Sequence, residues 1–237
     1  MKKYDNLVVN GCSFTNGPYD TKQKRENSFS VHLSKELGCT DINLSKPGGS
    51  NDRIIRTTYN FIEKGIDKKS KNLFVFGLSG VGRKDIFTNY SLTEPEGQYY
   101  QFNFNGLKIS QNRGFTRKFN LQDLGISEKT EIEFAKFYFK YFIQENNIIQ
   151  HDIRQLQMLV SHIKYNNPNN DVIVFSSLLQ GIPKKIKKRF NWFEFEVGET
   201  WNDFIKIKSE FKWAGHPNTP AHQLLSQEIL SYIKNEL

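Results

Sequence analysis

The sequence predicts an α/β fold on a mostly parallel sheet, and two observations carry that prediction. Short apolar runs, Leu7–Val9, Asn72–Phe76 and Val172–Phe175, alternate with stretches whose apolar residues recur at helical spacing. Each run ends in a cluster of glycine, serine or asparagine, so the order β-α-β-α-β recurs, as parallel sheets with helices on their faces require. At 237 residues the chain is long enough for one well-buried domain of this kind.

The first strand stops at Gly11-Cys12-Ser13, which puts Ser13 at a strand's carboxyl end, where open α/β sheets bind ligands. Ser13 is therefore a candidate nucleophile, or a residue that merely caps the segment after it. Phe29, Leu33 and Leu37 mark a helix closed by Gly38, and Thr40–Leu44 reads as a strand. After the turn cluster 45–51, Ile54, Ile55, Thr58, Phe61 and Ile62 form one face of a second helix. The third strand runs into the flexible loop Gly77–Gly82.

An insertion of about residues 88–150 interrupts the pattern. Tyr100, Phe102 and Phe104 alternate with polar residues ahead of Asn105-Gly106, the signature of a β-hairpin. A helical segment follows, with Phe134, Phe137, Tyr138, Tyr141 and Phe142 in a stripe that reads as core packing. Ile153 to Ile163 makes a further amphipathic helix. Phe193, Phe195 and Val197 suggest an edge strand. Thr219 is the expected cap of a last helix that has Pro220 at its first position. One domain spanning 1–237, with an inserted ribbon and helix, is the expected organisation.

The net charge of +8 draws the chain toward anionic partners, though its only dense cluster is Lys184–Arg189. Two cysteines make neither a metal-ligand pattern nor a disulfide framework, so a reducing, cytoplasmic setting is expected, with no metal and no cofactor. The apolar run near the amino terminus is too short for a signal peptide, and no stretch suits a membrane span.

His216 lies in the loop before the last helix. A serine at the end of strand one and a histidine before the final helix fall on the same rim of a parallel sheet. That pairing suggests acyl transfer, in which Ser13 attacks a carbonyl, His216 takes its proton, and N–H groups hold the oxyanion. The other four histidines, His32, His151, His162 and His222, read as helix residues.

Three blocks carry a resemblance: Gly11-Cys12-Ser13-Phe14-Thr15-Asn16-Gly17, Asn43-Leu44-Ser45-Lys46-Pro47-Gly48 and Gly215-His216-Pro217-Asn218. In order and spacing they resemble the SGNH (GDSL-like) hydrolase superfamily, in its phage and bacterial type. The resemblance implies a flavodoxin-like three-layer α/β/α sandwich and an esterase-type serine hydrolase. It makes Ser13 nucleophile and oxyanion donor, Gly48 (or Gly49, were the turn offset) the second donor, and His216 the general base. Cys12 stands where the first block usually has aspartate, with a thiol nucleophile as a remote alternative. Ser79 stands where the third block has asparagine, with Asn51 as a substitute donor. Trp213 stands where the family has the acid that orients the histidine, leaving a Ser–His dyad or an acid from elsewhere, Asp203 or Glu210.

The expected substrate is a small-molecule, carbohydrate or lipid ester. Two other readings stand beside it: a catalytically decayed binding or structural protein on the same fold, and a basic nucleic-acid-binding protein.

Overall fold

The computed structural model describes residues 4–81, 83–87, 99–105, 108–111, 133, 137 and 145–237. Strand β1 (Asn6–Gly11) leads into a single helical turn, α1 (Ser13–Asn16). Helix α2 (Phe29–Leu37), strand β2 (Thr40–Asn43), helix α3 (Asn51–Glu63) and strand β3 (Asn72–Leu78) follow. Strands β4 (Arg83–Phe87), β5 (Tyr99–Asn105) and β6 (Lys108–Gln111) form a separate antiparallel sheet. The main fold resumes with α4 (Glu145–Asn166), β7 (Asp171–Ser176), the short α5 (Lys184–Lys187) and β8 (Asn191–Trp192). It closes with α6 (Trp201–Ile207), a 3₁₀ turn (Ser209–Phe211), β9 (Lys212–Trp213), β10 (His216–Pro217) and α7 (Thr219–Glu236).

The main sheet is parallel throughout, in the order β2-β1-β3-β7-β8. This is the flavodoxin-like order, and it reverses direction between β1 and β3. Alternation along the strands divides the core in two. Leu7, Val9, Leu73, Val75, Ile173 and Phe175 face one way and pack with Phe29, Leu33 and Ile229 of α2 and α7. Val8, Phe74, Phe76, Val172 and Val174 face the other way, against Ile54, Leu156 and Ile163 of α3 and α4. Central parallel strands buried on both faces must be apolar at every position, which is why they read as unbroken apolar runs. The result is a three-layer α/β/α sandwich.

Several local expectations shift. The edge strand is Asn191–Trp192; Phe193 and Phe195 lie just beyond it, buried in the core. The last helix is capped one residue earlier than expected, by Asn218, whose side chain accepts from the Ala221 N–H at 3.0 Å. Thr219 instead donates its hydroxyl to Asp20 at 2.9 Å. In the insertion, β5 pairs antiparallel with β6 and Asn105 stands opposite Lys108; residues 106 and 107 between them lie outside the described residues. Of the aromatic stripe, only Phe137 falls among the described residues, and it is exposed rather than in the core. No described helix is long and apolar enough to cross a membrane.

Candidate active site

The sheet reverses direction at β1 and β3, so a crevice opens outside their carboxyl ends, and Ser13 sits there as the first residue of α1. Thr15 wedges this turn in place. Its hydroxyl donates to the Cys12 carbonyl at 2.9 Å, and its side chain fills the space that a Cβ on Gly11 or Gly77 would need. A Cβ there would come within 2.1 Å and 2.3 Å of Thr15 respectively, so the close approach demands glycine at both positions. Cys12 is buried in the core cluster with Leu7, Val9 and Phe14, which leaves its thiol facing packing rather than the crevice.

His216 arrives from the far end of the chain. The turn Trp213-Ala214-Gly215-His216 has positive φ at both central residues, 45° and 81°, and it joins the two-residue strands β9 and β10. His216 Nε2 lies 3.1 Å from Ser13 Oγ across 203 residues of sequence. Its Nδ1 faces the Ala214 carbonyl at 3.4 Å. The Tyr19 ring stacks on the imidazole with centroids 4.0 Å apart, and the Lys24 ammonium lies 3.5 Å from the Tyr19 ring centroid. Burial pushes the His216 imidazole below its usual range, helped by the Arg83 and Lys24 cations and opposed by the Ala214 carbonyl. The ring is thus held neutral at neutral pH, the form in which Nε2 can accept a proton.

The second block forms a tight turn over this pair. The Gly49 N–H donates to the Lys46 carbonyl at 2.9 Å, and Gly48 has φ of 77°, so Pro47 and Gly48 occupy the middle of a type II turn. The Lys46 N–H donates to the Gly11 carbonyl, docking the turn beside the serine. Asn43 supports it: its amide donates to the Thr15 carbonyl and the Ser30 hydroxyl while its oxygen accepts from the Ser45 N–H. The Gly49 N–H is committed to the turn, so Gly48 is the glycine left as a donor candidate.

Asn51 has a different task from the one expected. Its oxygen accepts from the Ser79 N–H at 2.7 Å, and its amide donates to the Ser79 carbonyl at 3.0 Å and to Asp152 at 2.7 Å. Both ends of the side chain are engaged in clamping the backbone of Ser79, so it is not aimed at the crevice as a donor. The Ser79 hydroxyl oxygen accepts from the Arg83 guanidinium at 3.1 Å.

Asp203 is likewise engaged elsewhere. It closes a capping box with Thr200 at the start of α6 and accepts from Gln180 at 3.1 Å. Glu210 lies in the 3₁₀ turn, where its carbonyl accepts from the Asn218 side chain at 2.6 Å.

Among solved structures, the chain is similar over 97% of its length to the psychrotrophic esterase EstA from Pseudoalteromonas sp., with 13% identity, a TM-score of 0.51 and 97% of that chain covered. It is similar over 98% of its length to TesA, at 10% identity and a TM-score of 0.51, covering all of that chain. A carbohydrate esterase, whose active site is described as having divergent catalytic and non-catalytic binding functions, matches the whole of this chain over 70% of its own, at 13% identity and a TM-score of 0.50. The chain shares its α/β/α fold with these proteins. No protein-family model and no curated protein matches the chain.

Two positions bear on the resemblance that the sequence carries to the SGNH pattern. Trp213 occupies the acid's place and is more than half exposed, so a main-chain carbonyl, not a carboxylate, faces Nδ1 of His216. Ser79 occupies the third-block asparagine's place, and Arg83, four residues on, reaches back to it. Tyr19, Lys24 and Arg83 are the residues that the sequence did not mark. Tyr19 sits two residues past Gly17 in a polar loop, a modest cue; Arg83 has no local signal at all. Among the described residues, Asp52, His151 and Asp152 bring possible metal-ligand atoms within 4.8 Å of one another, with Asp152 already accepting from Asn51. The basic run at 184–189 forms α5 and its end, where Lys187 pairs with Glu194 at 2.9 Å.

Proposed function

We propose that this chain is an esterase-type serine hydrolase working through a Ser13–His216 dyad, without a carboxylate on the histidine. The observation that carries the reading is the 3.1 Å approach of Ser13 Oγ to His216 Nε2 at the sheet's switch point. A decayed binding protein would have no need to hold these two atoms within hydrogen-bond reach.

In this reading, Nε2 of the neutral imidazole takes the Ser13 proton as Oγ attacks the ester carbonyl carbon. The negative charge moves onto the carbonyl oxygen, where the N–H groups of Ser13 and Gly48 are the donor candidates. The Ser79 hydroxyl is the third. Its oxygen is held by Arg83, which leaves its own hydrogen to donate and brings a fixed positive charge toward the oxyanion. The imidazolium then gives its proton to the leaving alcohol oxygen as the C–O bond breaks, leaving an acyl ester on Ser13. Water, deprotonated by the same imidazole, attacks that ester and releases the acid and the free serine.

The weak step is the imidazolium. In a serine protease, disabling the equivalent aspartate costs about 10⁴ in turnover. Here the Ala214 carbonyl supplies a single dipole, while Arg83 and Lys24 oppose the cation. The reading therefore favours activated esters or a substrate that itself offsets those charges.

Hydrolysis of 4-nitrophenyl acetate by wild type, Ser13→Ala and His216→Ala tests the proposal. Turnover by wild type that falls at least about a hundredfold in both variants is expected; equal rates in all three would end it.

A further inference from the structure

Tyr19 meets His216 from a loop that is fastened to the histidine's own segment. Residues 17–28 join α1 to α2. The Tyr19 N–H donates to the Pro217 carbonyl at 3.4 Å, and the Asp20 carboxylate accepts from the Thr219 N–H at 3.0 Å and from its hydroxyl at 2.9 Å. Where the loop ends, the Phe29 N–H donates to His222 Nδ1 at 3.1 Å. At its start Gly17, with φ of 149°, packs on the Lys24 carbonyl so closely that a Cβ would have no room. The loop therefore doubles back and brings Lys24 over the Tyr19 ring.

The Tyr19 ring lies nearly parallel to the imidazole, with centroids 4.0 Å apart and 19° between the planes. Phe14 packs on the same imidazole at 5.3 Å, tilted by 42°. These two rings hold the plane of the imidazole, whereas the Ala214 carbonyl faces only Nδ1, at 3.4 Å. Lys24 Nζ, 3.5 Å from the Tyr19 centroid, cannot share the face that the imidazole covers, so it takes the other. When His216 accepts the Ser13 proton, the ring stands between two cations, and its electron-rich faces attract both. Burial, and after it the Cys12 thiol, pushes the Tyr19 phenol above its usual range against the pull of Ser13 and Arg83, so the phenol stays neutral. The charged groups that act on His216 are Arg83 and Lys24.

We infer that Tyr19 is the positioning residue of the dyad: its ring face holds the His216 imidazole toward Ser13 and steadies the imidazolium, the part that a carboxylate plays in a triad. The inference rests on the hydrolase reading and deepens it. A ring face stabilises a cation less than a carboxylate does, so Tyr19 restores only part of what the missing acid would supply.

The test follows wild type, Tyr19→Phe and Tyr19→Leu, each with and without Lys24→Gln, so that a displaced ammonium cannot account for a change. Tyr19→Met replaces Tyr19→Leu should the latter unfold. Two quantities are read on each protein: steady-state hydrolysis of 4-nitrophenyl acetate, and the titration of the His216 imidazole by NMR, which needs no turnover. Tyr19→Phe keeps the ring and is expected to stay within about threefold of wild type in kcat, with the His216 midpoint in place. Tyr19→Leu is expected to lower kcat about tenfold, to change KM less, and to lower the His216 midpoint by about half a pH unit or more in both backgrounds. A midpoint that stays or rises in Tyr19→Leu, or falls as far in Tyr19→Phe, overturns the inference, and so does an unchanged kcat in Tyr19→Leu. If wild type turns over no ester and Ser13 takes up no fluorophosphonate, the hydrolase reading falls, while the His216 midpoints still report separately whether the ring supports the imidazolium.

Discussion

Trp213 stands directly opposite His216 in the antiparallel pair of β9 and β10. Side chains opposed in this way share one face of the ribbon, with Cβ atoms about 5 Å apart. A carboxylate at position 213 would therefore be within reach of the imidazole. Trp213→Asp is expected to raise kcat on 4-nitrophenyl acetate about tenfold, well short of the ~10⁴ that such a group contributes in a serine protease. Steady-state kinetics beside a Trp213→Asn control checks it; equal gains in both variants would mean that removing the indole, not adding charge, is what matters.

The acid limb of the rate profile reports His216. Its imidazole is held below the usual histidine range, first by burial and then by Arg83 and Lys24. The base is active when unprotonated, so kcat/KM should climb with pH and reach half its plateau below pH 6.5. Lys24→Gln removes one of the opposing cations and should move that midpoint upward. A midpoint above 7 in the wild type would contradict this account of the site.

The blocks around Ser13 and His216 were legible in the sequence because strand ends and helix starts leave local marks, and a parallel sheet gathers them on one rim. Gly11 and Gly48 are legible for the same reason, as glycines of turns; Gly77 is not, since it reads as the start of a flexible loop and instead lies inside β3, where Thr15 crowds it. Asp203 carries a local signal for another role. Thr200 three residues before an acid is a helix start, and the structure uses it so. Asn51 could not be read, because what a side chain at the first turn of α3 meets depends on how the helix packs against β3. Arg83 is bound to the site by a contact with Ser79 that no spacing rule forecasts.

Asn51 holds the third block together. Asn51→Leu keeps the volume but removes the bonds to both backbone groups of Ser79 and to Asp152. At about 1 kcal/mol for each neutral bond and more for the carboxylate, a loss of roughly 3–5 kcal/mol is expected. For a domain of this size that is a drop in Tm of roughly 10 °C. Thermal unfolding followed by circular dichroism checks it; a shift of less than 2 °C would mean that the clamp contributes little.

His222 gives the fold a dependence on pH that is separate from catalysis. It is fully buried, its Nδ1 accepts from the Phe29 N–H at 3.1 Å, and burial pushes its imidazole down to about 3. Above pH 6.5 the ring is neutral folded or unfolded, and it adds no slope. Between 6.5 and 3 the unfolded chain takes up a proton that the folded chain refuses, so stability falls as the pH is lowered. From this one group a loss of about 2–3 kcal/mol is expected between pH 6.5 and 4.5. Urea unfolding across that range should show it, and His222→Gln should flatten the curve by a similar amount. An unchanged slope in the variant would assign the acid sensitivity elsewhere.

Fluorophosphonate labelling, mapped to its residue by mass spectrometry, asks most directly whether Ser13 is activated by His216. The account predicts one equivalent of probe on Ser13, none in Ser13→Ala, and a labelling rate at least a hundredfold lower in His216→Ala. Folded wild-type protein that takes up no probe between pH 6 and 9, or that takes it up as fast without His216, would contradict it.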